Sequence, residues 1–146
     1  MKWNRSQSAA ANARRLLPKL AEKYFEAGRK AAGKKRSPKA LHRFRIATKR
    51  FRYSLELFQP IYGPTLDRRL EAVRGLQQNL GALSDYQTIR TLLSDDQALD
   101  ARLRKAIRRT TREFQEGWKT FDSTGQLQRW KTYLGRAGSA GKTARR

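Results

Sequence analysis

From Leu16 to Phe121 the apolar residues recur at three- and four-residue spacing, and no segment shows the alternation of a strand. A chain patterned this way can bury its apolar side only by packing helices on helices. The expected fold is therefore all-α, an antiparallel helical bundle of about four main helices plus short ones. Leu16, Leu20, Tyr24, Ala27 and Ala31 mark a first helix ending near Gly33. Pro18 is awkward inside a helix, so the element is expected to start near it, with residues 6–16 as a separate or frayed turn. Residues 34–36 read as a basic loop. Ser37 and Pro38 read as N-cap and first helical position of a second helix that runs to Gln59. Gly63 and Pro64 open a third, with Leu66, Leu70, Val73 and Leu80 inward, ending near Gly81.

Three capping-box patterns follow, Ser84 with Gln87, Ser94 with Gln97 and Ser123 with Gln126. They predict a short helix at 85–94, a long one at 95–121 and a short terminal one at 124–134. The chain of 146 residues then divides into a flexible or loosely helical 1–15, a bundle at 16–134 and a disordered basic tail at 135–146.

Charge narrows the function. With 34 Lys and Arg against 12 Asp and Glu, the formal charge is +22. Self-repulsion of that size destabilises a compact state, which makes sense if a polyanion neutralises it. Nucleic acid, polyphosphate and an anionic membrane surface all qualify. There is no cysteine, which excludes disulfides, thiol nucleophiles and Cys-based metal sites. The N-terminus lacks the apolar core of a secretory signal and no apolar run approaches a membrane span, so a cytoplasmic location is expected. Basic amphipathic helices can lie on anionic lipid, but these apolar stripes are needed for the core, and no membrane partner is expected.

Projected at about 100° per residue, the second helix places Phe44, Ala47, Thr48, Phe51, Leu55 and Phe58 on one side. His42, Arg45, Lys49, Arg52 and Tyr53 fall opposite, flanked by Arg43 and Arg50, with Glu56 as the one counter-charge. The long C-terminal helix repeats the division. Leu99, Leu103, Ala106, Thr110, Phe114, Gly117 and Phe121 form its inner stripe, and Arg104, Lys105, Arg108, Arg112 and Lys119 its cationic face. Unbalanced rows of like charge repel when nothing is bound, so two of them suggest a track for an extended polyanion. Arginine offers phosphate a planar fork of donors, while lysine acts as a point charge. On the first helix Lys19, Lys23 and Lys30 share a face with Glu22 and Glu26 beside it, a pattern as consistent with a solvated surface.

His42 is the single histidine and has no second His or Cys with which to hold a metal. It also lacks a neighbouring nucleophile and orienting group, so a hydrogen bond from its ring to phosphate suits it better than catalysis. Asp95, Asp96 and Asp100 sit where a helix start explains acidic residues, and there is no P-loop. The expectation is a binding protein, not an enzyme, with no cofactor and no metal.

The run from Leu41 to Phe58, with His42, Arg45, Lys49–Arg50, Arg52–Tyr53, Glu56 and Phe58, closely resembles the signature helix of CHAD domains, the conserved-histidine α-helical family. A second block, Leu76–Gln77, Leu80–Gly81 and Asp85, follows in family order. The resemblance implies a bundle that binds inorganic polyphosphate through basic residues, often at polyphosphate granules, with His42, Arg45, Lys49 and Arg52 carrying the contacts. CHAD domains usually hold two such bundles facing each other across a basic channel. This chain carries one copy, so it is expected to be one half of the usual architecture, either a unit that rebuilds the channel as a two-fold homodimer, the favoured reading, or a monomer with an open groove. The competing reading is a non-specific nucleic-acid-binding bundle. The +22 charge favours it equally, but no helix-turn-helix, finger or RNA-binding signature is present, and the basic rows are expected to lack base-reading amides and exposed aromatics.

Overall fold

The computed structural model of the chain describes residues 2–33 and 37–143; the basic loop expected at 34–36 lies outside the described residues. The described residues form helices and connecting turns without a strand: α1 (Ala9–Ala32), α2 (Pro38–Leu57), the short α3 (Gln59–Tyr62), a 3₁₀ turn (Gly63–Leu66), α4 (Asp67–Leu92), α5 (Gln97–Phe121) and α6 (Gln126–Thr143). Helices α1, α2, α4 and α5 pack in a closed ring in that order, so α2 and α5 stand on a diagonal. Neighbours are antiparallel: Gly28 of α1 meets Trp118 of α5, while Ala32 meets Gln115. Helix α6 lies outside the ring along α1 and α3 as a fifth long helix, seated by Trp130 and Leu134.

Several elements differ from the sequence expectation. Helix α1 begins at Ala9, capped by Ser8, and carries Pro18 in its interior. Of the separate or frayed turn expected at 6–16, residues 6–8 are non-helical and residues 9–16 are helix, held by the full burial of Asn12 and Ala13. The Asn12 amide donates to the carbonyls of Asn4, Gln7 and Ser8, and its Oδ1 accepts from the Asn4 N–H and from Arg15. That one side chain ties residues 4–8 to the first turn of α1, while the Ser8 hydroxyl accepts the Ala11 N–H, so the helix starts well ahead of Pro18. Helix α4 does not stop at Gly81; it runs through Ser84 and Gln87, which sit within it rather than at a cap. Leu80 and Leu83 are buried on either side of Gly81, and continuous burial overrides the local stop signal. At the next helix Asp96, not Ser94, caps by accepting the Leu99 N–H. The tail expected to be disordered from 135 is helical through Thr143, and residues 144–146 lie outside the described residues.

The core is aromatic at its centre. Tyr24 of α1 stacks between Phe44 and Phe51 of α2, at centroid distances of 5.0 and 4.4 Å. Phe25 faces Trp118, Phe121 and Trp130. Thr48 donates its single hydroxyl proton to the Phe44 carbonyl at 2.8 Å, so the Tyr24 hydroxyl must donate to Thr48 Oγ1 at 2.9 Å. Burial pushes the Tyr24 phenol far above its ordinary pKa, which keeps it the donor.

A Cβ on Gly28 would lie 2.1 Å from the Trp118 ring, which fills the place of a side chain. An exposed helical Gly→Ala change is expected to stabilise by roughly 1 kcal/mol. Here Gly28→Ala should instead destabilise by about 1–3 kcal/mol through overpacking. Chemical denaturation of the variant, with the midpoint falling at unchanged slope, checks this.

Candidate functional site

Two faces of α2 leave the core, and they meet different neighbours. On the α4 side Arg45, Lys49 and Arg52 are half-buried along the seam between the two helices. Thr48, Phe51 and Leu55 are buried, which fixes the rotation of α2 and aims this row at α4. At one end of the seam a cleft of about 310 Å³ is lined by Arg52, Arg74, Gln77, Gln78 and Gly81. At the other, a cleft of about 480 Å³ brings His42, Lys39 and Arg43 together with Ser84, Gln87, Thr88 and Thr91. His42 to Arg52 spans ten residues, roughly 15 Å of helix.

The seam is polar and incompletely satisfied. The Nε atoms of Arg45 and Arg52 and Oε1 of Gln77 are buried without a hydrogen-bond partner in the chain. Buried polar groups are normally paired, so such groups call for an explanation. Glu56 is the local counter-charge: it accepts from Arg74 at 3.2 Å and lies 3.8 Å from Arg52 Nε. Arg74 also pairs with Glu71, and these carboxylates raise its pKa further. The Arg52 guanidinium covers the Tyr53 ring at 4.6 Å, a cation–π contact, and Tyr53 is 54% exposed. The sequence reading of a row without an exposed aromatic is thus corrected: Tyr53 stands at its end.

The remaining expected residues do not join this seam. Arg50 lies on the opposite flank of α2, facing α1 beside Lys23. The row of α5, comprising Arg104, Lys105, Arg108, Arg112 and Lys119, is exposed. Helix α5 meets α2 through inward rings, Phe44 against Phe114 and Trp118, so its cationic face is turned away across the diagonal. Arg104 is in addition engaged by Asp100 at 2.9 Å. The hydrogen bond from Arg90 holds the Asp100 carboxyl below the ordinary range, with Arg104 adding to the effect. The expected pair of rows is therefore not one continuous track.

Sequence reasoning missed the α4 wall. Arg74, Gln77, Gly81, Ser84 and Thr88 recur at three- and four-residue spacing and form a polar stripe, so the signal was present. It stayed hidden because α4 was broken at Gly81. Among the described residues no group of three or more His, Cys, Asp or Glu could hold a metal ion. No helix among them is long and apolar enough to cross a membrane.

A model of the CHAD domain matches residues 2–94. The chain belongs to the CHAD domain family. The matched range takes in α1 to α4, and with them the whole α2/α4 seam, but neither α5 nor its cationic face. CHAD domains are associated with polyphosphate binding and are generally binding rather than catalytic domains. Comparison with curated proteins and with solved structures gives no match.

Gly81 borders the seam, and a Cβ there would meet nothing within 4 Å. Gly81→Ala should therefore stabilise the fold by about 1 kcal/mol while narrowing the cleft and weakening an occupant. Thermal unfolding alongside a binding titration reads both effects, which run in opposite directions.

Proposed function

We propose that this CHAD domain binds inorganic polyphosphate, without chemistry, along the α2/α4 seam. The observation that carries the reading is the half-buried row of Arg45, Lys49 and Arg52, in which the Nε atoms of Arg45 and Arg52 lack a hydrogen-bond partner and Arg52 shares a cleft with Arg74 and Gln77. Phosphate oxygens accept from such donors, and a repeating linear anion can follow helical spacing from Arg52 to His42. Glu56 screens Arg52 and Arg74 until a stronger anion displaces it. Location at polyphosphate granules follows from the same affinity. A two-fold homodimer that sets two seams face to face is part of the proposal: the anion would offset the repulsion between two basic surfaces.

The second reading, single-stranded nucleic acid, is favoured by one observation, the exposed Tyr53 ring beside Arg52, on which a base could stack. Competition separates the two. Labelled long-chain polyphosphate on the purified protein is challenged with single-stranded and duplex nucleic acid at near-physiological salt. Polyphosphate is expected to survive a large phosphate-equivalent excess; equal displacement would mean that +22 acts as a general polyanion attractant.

Neutralising Arg45, Lys49 and Arg52 together to Gln is expected to weaken polyphosphate binding and lower its salt slope by about three phosphate contacts. Far-ultraviolet circular dichroism should be unchanged, since the row lies outside the core. Tyr53→Ala should leave polyphosphate affinity unaltered, whereas a stacked base would lose about 1–3 kcal/mol. Unaltered polyphosphate binding in the triple variant would place the site elsewhere.

A further inference from the structure

The flank of α2 that faces α1 carries a different surface from the seam. Two connected clefts, of about 800 and 550 Å³, run between α1 and α2 and share Ala27, Arg43 and Ala47. Their floor is apolar. Small residues, Ala27 and Ala31 against Ala40 and Ala47, keep it shallow over Phe44 and Phe51, and Ile46 is 37% exposed beside it. The groove follows α1 from Leu20 to Ala31, roughly 16 Å.

Its rims are cationic on both sides and evenly placed. Lys23 and Lys30 stand two turns apart on α1 with Ala27 between them; Arg43 and Arg50 stand two turns apart on α2 with Ala47 between them. None of these four forms an ion pair among the described residues. Of the nearby carboxylates, Glu22 is taken by Lys131 of α6 at 3.2 Å, and Glu26 is exposed within one turn of Lys23, Arg29 and Lys30 without forming an ion pair to any of them among the described residues. Arg29 itself is held by Asp122.

We infer that this groove docks an acidic amphipathic helix of a partner protein. Charge complementarity argues for it: a helix laid between α1 and α2 would set apolar residues on the alanine floor, and carboxylates seven residues apart would meet each rim. Alanines at the floor let a third backbone approach closely, which an extended polyanion would not need. A second copy of this chain is disfavoured by its 34 basic against 12 acidic residues. The groove shares Arg43 with the His42 end of the α2/α4 seam, but Lys23, Lys30, Ile46 and Arg50 line the groove and not the seam, and the inference does not depend on what that seam binds.

The test uses the full chain and a fluorescent synthetic helix of about five turns, with a Leu/Ala stripe flanked by Glu, followed by anisotropy at near-physiological salt. Saturable binding is expected, weakened about tenfold by the double change Lys23→Glu and Lys30→Glu, which replaces two attractions with repulsions. Ile46→Ser, at an exposed position that should not disturb folding, is expected to weaken the peptide and leave polyphosphate binding as it was. A scrambled peptide of the same composition should bind more weakly. The inference is overturned if the scrambled peptide binds equally, or if both variants match the parent chain. It is also overturned if vesicles of anionic lipid, and not the peptide, show the dependence on Ile46 and Lys23/Lys30.

Discussion

The close approach of α1 to α5, where the Trp118 ring lies against the bare backbone of Gly28, is the contact on which the bundle turns. Without a side chain at Gly28 the indole reaches the centre of the domain, where Tyr24, Phe25, Phe44 and Phe121 meet it. Aromatic rings bury more apolar area than any other side chains and favour offset or edge-on pairing. A core concentrated in this way can offset the self-repulsion of a domain at +22, because each buried ring also fixes which side of its helix faces water.

That rotational locking gives α2 its two unlike flanks. With Phe44, Thr48, Phe51 and Leu55 inward, Arg45, Lys49 and Arg52 point to α4, while Ile46, Arg50 and Arg43 border α1. The α4 flank is polar, with unpartnered donors beside the Glu56 carboxylate; the α1 flank is apolar with a charged rim. One helix thereby presents two chemically unlike surfaces. The exposed row of α5 shares neither flank and adds to the long-range field.

Where the sequence reading failed, it failed for one kind of reason. Local signals at Pro18, Gly81 and Ser84 argued for helix ends, yet the helices pass through all three. Propensity differences of about 1 kcal/mol, and even the larger penalty of an internal proline, yield to burial of neighbours such as Asn12, Leu80 and Leu83. Breaking α4 at Gly81 splits its polar stripe, which hides Arg74 and Gln77 as the wall opposite Arg52.

The sequence by itself determined the all-helical class, the inward aromatic stripe of α2 and the outward placement of His42, Arg45, Lys49 and Arg52. These follow from 3.6-residue periodicity, which is written into each helix without reference to any other. It also held the family signature between Leu41 and Asp85, which a match to residues 2–94 supports. Only the tertiary structure decided which helices adjoin, and hence that the α2 row meets α4 while the α5 row faces away. The order of helices around a ring depends on which side chains interlock, as Trp118 does over Gly28, and the helical period of a single segment carries no record of that.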